Sequence, residues 1–348
     1  MIRSKKVFLP ITLILIFSLI FLGGCSSQLS KQTEPQGPEK KEEVKQETKQ
    51  EIKYPEGPVT LHCAFNPGGG VDTMFRTTQA FLEKELDQPV IVKYTSGAGG
   101  EIGWNEFSKA KPDGYTITGL ITPHIILQPM LRDTIYKTDD FLPIALVSFC
   151  PGVVLVPNDS PFKDFQQFLD YAKQNPGKLT VAITGTQSFD HVQTILLNKN
   201  LGIELKMVVF ATGADAVKAV LGNHVDAFVT NILWTVQQKE NLRTLVVLDE
   251  QRHQYAPDVP TIKELGYDIK DYSSNVKGFA IHKDTPPEIV SKLQAVFEKI
   301  ANNPEFQEKM NEAGMGFKYF NTEQALEYIN RDVEIHNKIK EDLLKEIK

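Results

Sequence analysis

Two glycine-rich runs are the residues of this chain whose types and spacing best suit chemistry: Asn66-Pro67-Gly68-Gly69-Gly70-Val71-Asp72-Thr73 and Ser96-Gly97-Ala98-Gly99-Gly100. Each follows a short apolar run and precedes a stretch with helical spacing. A tight glycine turn that opens a helix leaves main-chain N–H groups with no helical carbonyl to bond. The helix dipole adds partial positive charge behind them, so the turn suits an anion. Glycine turns are also common punctuation, but two in succession, each opening a helix, favour a ligand site. Neither run contains Lys or Arg, so dipoles and hydroxyls are expected to hold the anion. Asp72 either caps the following helix or reaches ligand directly or through water. Thr73 likewise bonds either the helix backbone or the ligand.

Enzyme chemistry finds less support. Ser188, Asp190 and His191 carry triad residue types, but sequence neighbours seldom meet in triad geometry and no Gly-x-Ser-x-Gly elbow is present. Ser188 is better placed as a hydroxyl at a helix start, and His191 as a ligand contact or a bond to a neighbouring strand. Gly97-x-Gly99-x-x-Ile102 misses the third glycine of a dinucleotide fingerprint, and no Walker lysine follows either loop. The seven histidines show neither His-Glu-x-x-His nor paired-cysteine spacing, so neither a metal nor a cofactor is expected.

The first residues bear on location. Arg3, Lys5 and Lys6 precede an apolar run from Val7 to Leu22, shorter than the ~20 residues that span a bilayer. The run ends in Leu22-Gly23-Gly24-Cys25, which resembles the lipobox of bacterial lipoproteins, where cleavage precedes a Cys that carries a lipid. Residues 1–24 are thus expected to be a signal peptide, with Cys25 lipidated and the protein held on the outer face of the cell membrane. Such cleavage takes the formal net charge from −6 to about −9. An acidic chain with no aromatic-basic patch is not a nucleic-acid binder, and any anion site must be local. Residues 25–54 are rich in Ser, Gln, Lys, Glu and Pro and cannot bury enough surface to order themselves. They predict a tether with a reach of ~30 Å. Cys63 and Cys150 lie in apolar runs and are expected to be free, buried thiols, since disulfide geometry is demanding.

From Pro55 onward about 294 residues remain, beyond the ~250 at which a single core usually stops growing. Apolar runs alternate with helical periodicity, which predicts an α/β architecture with mostly parallel sheets flanked by helices. Strands are expected at 60–65, 90–94, 115–121, 144–149, 153–156, 179–183, 207–210, 227–229, 242–248 and 276–281, with helices including 162–175, 192–200 and 286–301. Thr285 and Glu288 spell a capping box around Pro286. A last helix is expected after Asn321, with Gln324 at its third position. Two apolar passages, 141–156 and 242–248, read as crossings between lobes. They predict a first lobe of residues 55–148 and 249–348 and a second of 149–248, with strand-end loops of both facing one cleft.

Several further runs carry a family resemblance. Asn66 to Thr73 with Arg76, Ser96 to Gly103 followed by Lys111-Pro112-Asp113-Gly114-Tyr115-Thr116, Thr184 to His191, Ala211 to Gly222, and Ala256 to Thr261 together resemble the substrate-binding proteins of tripartite tricarboxylate transporters, the Bug receptors. The resemblance implies a two-lobed periplasmic-binding-protein fold of the second type, closing on a small carboxylate and delivering it to permease subunits driven by an ion gradient. It implies ligand contacts from Pro67, Gly68, Gly69, Gly70, Asp72, Thr73, Gly97 and Ala98. Thr122 and His124, after the third strand, face the same cleft in that fold. Thr184, Gly185, Thr186, Ser188 and His191 supply partners from the other lobe, and Thr212, Gly213, Asp215 and Asn231 complete the candidate set. The run Thr186-Gln187-Ser188 departs from the family's Gly-Ser-Ser type, and Phe210-Ala211-Thr212-Gly213 from its Tyr-x-Gly. The ligand's identity is therefore left open. A monomer is expected. A receptor that presents its ligand to a membrane sensor fits the same residues, and an exported α/β enzyme is the remaining alternative.

If Cys25 is the lipid attachment site, Cys25→Ala should release the protein from membranes or block its processing. Cell fractionation and the mature mass check this; a variant as membrane-bound and as mature-sized as the parent would refute it.

Overall fold

Strand β1 (Val59–Cys63) is buried at four of its five residues, as a strand covered on both faces must be. In the computed structural model, which describes residues 53–269 and 271–345, it is followed by α1 (Gly70–Leu86), β2 (Val90–Tyr94), α2 (Glu101–Phe107), β3 (Thr116–Ile121) and α3 (His124–Leu131). The long strand β4 (Phe141–Pro157) leads into α4 (Phe165–Gln174), β5 (Thr180–Ile183), α5 (Phe189–Leu201), β6 (Lys206–Val209), α6 (Gly213–Leu221), β7 (Ala227–Asn231), α7 (Leu233–Gln237) and β8 (Leu242–Leu248). The chain closes with β9 (Ser274–His282), α8 (Pro287–Ala301), α9 (Pro304–Glu312), β10 (Phe317–Phe320) and α10 (Thr322–Lys345). The expected signal peptide, Cys25 and nearly all of the tether lie outside the described residues.

The strands run in the order β2-β1-β3-β9-β4-β7-β5-β6, with β8 and β10 also paired to β4. The expected parallel pairing holds at the two outer ends, β2-β1-β3 and β7-β5-β6. The central pairs are antiparallel: β9 to β3 and β4, and β7, β8 and β10 to β4. The two strands expected at 144–149 and 153–156 are one continuous strand. Up to Pro151 it pairs with β9, and from Gly152 it pairs with β7 and β8. The change of partner falls on a residue without an N–H donor followed by one without a side chain, the two residue types that interrupt a ladder most readily.

Separate apolar clusters lie against the two halves of this ladder. Leu61, Met74, Phe75, Phe279, Leu293 and Phe297 fill one face of the first half, and Trp104, Phe107, Tyr136 and Phe141 the other. Phe165, Phe168, Val181 and Val246 pack on one side of the second half, and Ala216, Val220 and Phe228 on the other. Helix α10 joins the halves: Ile335, Ile339 and Leu343 meet Leu127 of α3 and Val192, Ile195 and Leu196 of α5. Its buried residues recur at three- and four-residue spacing, which makes the apolar stripe of a packed helix. Its start is as the spacing predicts. The Asn321 N–H donates to Gln324 Oε1 at 3.1 Å, and the Gln324 N–H donates to Asn321 Oδ1 at 3.0 Å. The capping box at Thr285 does not form. Pro286 is the N-cap of α8, and the Thr285 hydroxyl donates to the His282 carbonyl at 2.7 Å instead. Cys63 and Cys150 are both buried free thiols.

Phe279 is fully buried on β9, its ring 5.5 Å from that of Phe75 and 4.7 Å from that of Phe297. Phe279→Ala should therefore cost about 3–5 kcal/mol, whereas Asn321→Ala, which loses one cap, should cost about 1 kcal/mol. Urea unfolding of the two variants measures the ratio.

Candidate ligand-binding site

A cavity of about 280 Å³ opens between the strand-end loops of the two halves. Ala98 and Gly99 line it from the loop after β2. His124, Leu127, Gln128 and Arg132 come from α3 and its end, and Thr184, Thr186, Gln187 and Ser188 from the loop after β5. All three segments follow the carboxyl ends of strands, the position at which open α/β sheets bind ligands. Five of the candidates read from sequence meet here: Ala98, His124, Thr184, Thr186 and Ser188. Gly99, Leu127, Gln128, Arg132 and Gln187 were not singled out. Gly99 belongs to the second glycine run, Leu127, Gln128 and Arg132 carry no motif of their own, and Gln187 lies between two hydroxyl residues.

Both walls are held by bonds within the protein. On one side the Gln128 carboxamide donates to the carbonyls of Gly99 at 2.9 Å and Ala98 at 3.3 Å, while its oxygen accepts from the Tyr136 hydroxyl at 2.9 Å. Arg132 is paired with Glu101 at 2.6 Å. On the other side the Ser188 hydroxyl caps α5 by accepting the His191 N–H at 3.2 Å. The Gln187 N–H donates to His191 Nδ1 at 3.0 Å, which leaves Nε2 as the protonated nitrogen of a neutral ring. Beneath it, Thr184 donates to Asp190 Oδ2 at 2.6 Å. Burial pushes the Asp190 carboxyl up to about 6, although hydroxyls of Thr184 and Thr230 favour its charged form. Each wall also carries a non-glycine residue in the left-handed region, Ala98 at φ 48° and Gln187 at φ 63°. Such residues cost ~1–2 kcal/mol and cluster where a loop is held for a ligand.

The first glycine run is built differently from the expectation. Its Asp72 is buried and accepts from the Gly68 N–H at 2.7 Å, from the Tyr94 hydroxyl at 2.5 Å and from Arg76 at 3.2 Å. Burial raises the carboxyl's pKa, but those three donors outweigh it and hold the value below the ordinary range. Asp72 thus organises the loop from within. Gly68 is the residue that needs glycine's freedom, at φ +82°, while Gly69 lies at φ −80° and caps α1 with no side-chain bond. Thr73 donates to the Gly69 carbonyl at 3.2 Å, and Pro67 is exposed. None of these residues lines the cavity.

The absence of basic residues in the two runs does not leave the region without a cation. Lys277, in the middle of β9, is 5% exposed. A Cβ on Gly70 would stand 2.8 Å from Lys277 Cε and 3.8 Å from its Nζ, so the ammonium lies at the start of α1. A lysine inside the apolar run 276–281 was the signal available in the sequence. Burial lowers the Lys277 pKa. Burial and then the Lys277 charge together push His124 down to about 4, so its ring is neutral at pH 7.

Other candidates serve the scaffold. The buried Thr122 hydroxyl donates to the Ser274 carbonyl at 2.8 Å and accepts the Val276 N–H at 3.1 Å, locking β3 to β9. Thr212 caps α6 and donates to Asp215 at 2.7 Å, with the Asp215 N–H returning to its hydroxyl at 3.2 Å. Asn231 accepts the Leu233 N–H at 3.1 Å, and Gly213 leaves room for the Trp234 ring. Gly97 and Gly185 accept turn bonds from Gly100 and Ser188. None of these seven lines the cavity, nor does His191, which acts on it through Gln187.

The fold and this cleft define a solute-binding receptor. The family model described as "Tripartite tricarboxylate transporter family receptor", TctC, matches residues 74–344, and the chain belongs to that family. A UPF0065 protein in the gbd 5′ region of Cupriavidus necator is 32% identical over 84% of this chain and 89% of its own length. A crystal structure of a TctC solute-binding protein from Polaromonas, without ligand, is 31% identical, with TM-score 0.74 over 84% of this chain and 99% of that one. MatC of Rhodopseudomonas palustris with bound malate is 26% identical, with TM-score 0.64 over 84% of this chain and 100% of that one. The protein is accordingly a receptor of this family and not an enzyme.

Because the folded-state pKa of His124 lies below that of the unfolded chain, its burial favours folding fully above about pH 6.5 and progressively less down to about pH 4. Asp190 is the opposite case, its burial costing stability as pH rises from about 4 to about 6. Relative to the parent, His124→Gln should gain stability as pH falls from about 6.5 to about 4, and Asp190→Asn as pH rises from about 4 to about 6. Each slope should be at most about 1.4 kcal/mol per pH unit, read from urea unfolding at a series of pH values.

Proposed function

We propose that this protein is an extracytoplasmic receptor that takes a small carboxylate into the cleft between its lobes and passes it to the membrane subunits of a tripartite tricarboxylate transporter driven by an ion gradient. The observation that carries the reading is the cavity's lining. It presents hydroxyls, carboxamides, an imidazole and a guanidinium, and not one Asp or Glu. Such a surface offers many hydrogen-bond donors and no like charge to an anion. Its volume sits at the small end of ligand pockets, which run from ~300 Å³ upward. The malate bound to the related MatC supports the same class of ligand.

In this reading the lobes are residues 55–148 with 249–348, and 149–248. The change of partner along β4, between Pro151 and Gly152, lies three residues beyond this division and supports a boundary in that strand. The ligand contacts are Ala98, Gly99, His124, Gln128, Thr184, Thr186, Gln187 and Ser188. Lipidation at Cys25 and a tether over residues 25–54 would hold a monomeric receptor beside its permease on the outer face of the membrane. No helix among the described residues is long and apolar enough to cross a bilayer.

Calorimetry with L-malate, succinate, adipate and benzoate, and mass spectrometry of ligand released from natively purified protein, test the proposal. At least one carboxylate should bind. Thr186→Val should weaken it about 5–20-fold, the effect of one or two hydrogen bonds of about 1–1.5 kcal/mol, and Gln128→Leu should weaken it by freeing the Ala98–Gly99 loop that its carboxamide holds. Failure of every acid to bind, with no carboxylate released, would overturn the reading.

A further inference from the structure

Lys277 is a buried cation with no anion to face. Its Nζ donates to Asn275 Oδ1 at 2.5 Å, a neutral partner that is itself 8% exposed. No carboxylate among the described residues lies in ion-pair range of it. The titratable groups near enough to feel its charge are Cys150, a buried thiol, and the neutral His124. The carboxylate closest in sequence to the first loop, Asp72, is engaged by Gly68, Tyr94 and Arg76.

The ammonium also lies where positive charge is already concentrated. Helix α1 has 17 residues and no side-chain cap, so its first turn points unpaired N–H groups and the positive end of its dipole outward. Gly70 opens that turn, and its missing side chain is what lets Lys277 approach. The one carboxylate of that turn, Asp72, is already engaged by Gly68, Tyr94 and Arg76, so the charged form of Lys277 is disfavoured in the free protein and favoured when an anion arrives. Removing the partner of a buried charge is strongly destabilising, and by the same physics an arriving partner is strongly bound. His124 lies on the cavity wall and in the field of Lys277, which connects the cation to the cleft.

We propose that Lys277 is the charge partner of one ligand carboxylate, which would sit between its ammonium and the first turn of α1 and make this receptor select carboxylates over their neutral analogues. The inference rests on the receptor reading above and deepens it. A single buried cation balances a single carboxylate. Any second polar end of the ligand meets the neutral hydroxyls of Thr186 and Ser188.

The test compares the parent with Lys277→Met, using malate, succinate, adipate and benzoate and the corresponding amides as probes. In the parent, at least one acid should bind far more tightly than its amide. In Lys277→Met that acid should bind about 30-fold or more weakly, in line with the loss of one partner of a buried charge pair. Its preference over the amide should collapse toward unity. The ligand-free variant should melt no lower than the parent, because an unbalanced charge has been removed, whereas a merely structural lysine would leave a less stable protein. Gly70→Ala, whose Cβ would displace Lys277 without deleting it, should also narrow the acid-over-amide ratio, and it decides the matter if Lys277→Met does not fold. Unchanged carboxylate affinity and selectivity in a folded Lys277→Met, or in Gly70→Ala where that variant is the arbiter, would overturn the role of Lys277 and leave the receptor reading intact. A parent that binds none of the acids would overturn both.

Discussion

The antiparallel ladder between β4 and β9 is the constraint on which the rest of the molecule depends. It carries nine residue pairs, from Phe141↔His282 to Pro151↔Ser274, and β4 continues beyond it as the central partner of β7 and β8. One strand therefore belongs to both halves of the fold, and the loops that form the cleft are held at a distance set by backbone geometry. The same ladder delivers Lys277, opposite Ser148, to the start of α1. The Thr122 hydroxyl fastens the neighbouring strand to β9 at the same level. Side-chain contacts alone could not hold such a register, because a slip of one residue would turn Lys277 to the other face of the sheet.

Around that frame the hydroxyls and carboxylates divide into two groups with different work. Asp72, Thr122, Thr212 and Asp215 spend their polar atoms on the scaffold, where each satisfies a donor that would be costly to leave unpaired. Thr184, Thr186, Gln187 and Gln128 border the cleft. The left-handed backbone at Ala98 and Gln187 belongs to the second group. Both are locally unfavourable features at one site, which is where folded proteins tolerate them when a ligand makes use of the arrangement.

Helix α10 is the complementary constraint. Its apolar stripe rests on α3 from one half and α5 from the other, and these helices carry His124 and Gln128 on one side and Ser188's capped turn on the other. The last element of the chain thus braces both walls of the cleft. That arrangement accounts for a helix with a weakly hydrophobic sequence being ordered over 24 residues.

The sequence by itself determined the local elements. Period-two and period-3.6 patterns placed nearly every strand and the capped start of α10, because those signals depend only on neighbours along the chain. The glycine runs announced helix-opening turns for the same reason, and the family resemblance announced the fold that the comparisons bear out. Tertiary structure alone decided which polar atoms are free. Asp72 looked available until Tyr94, which lies 22 positions away, and Arg76 were seen to occupy it. The first loop looked free of cations until β9 brought in a lysine from more than 200 residues downstream. The two segments of β4 looked like separate strands because Pro151 and Gly152 interrupt the pattern locally, whereas the hydrogen-bond ladders on either side are long-range. Thr285 shows the same limit, since its hydroxyl had a closer acceptor in His282 than the cap that its spacing suggested. Charge balance and hydrogen-bond satisfaction are sums over everything within a few ångströms, and a linear pattern records only the part contributed by adjacent residues.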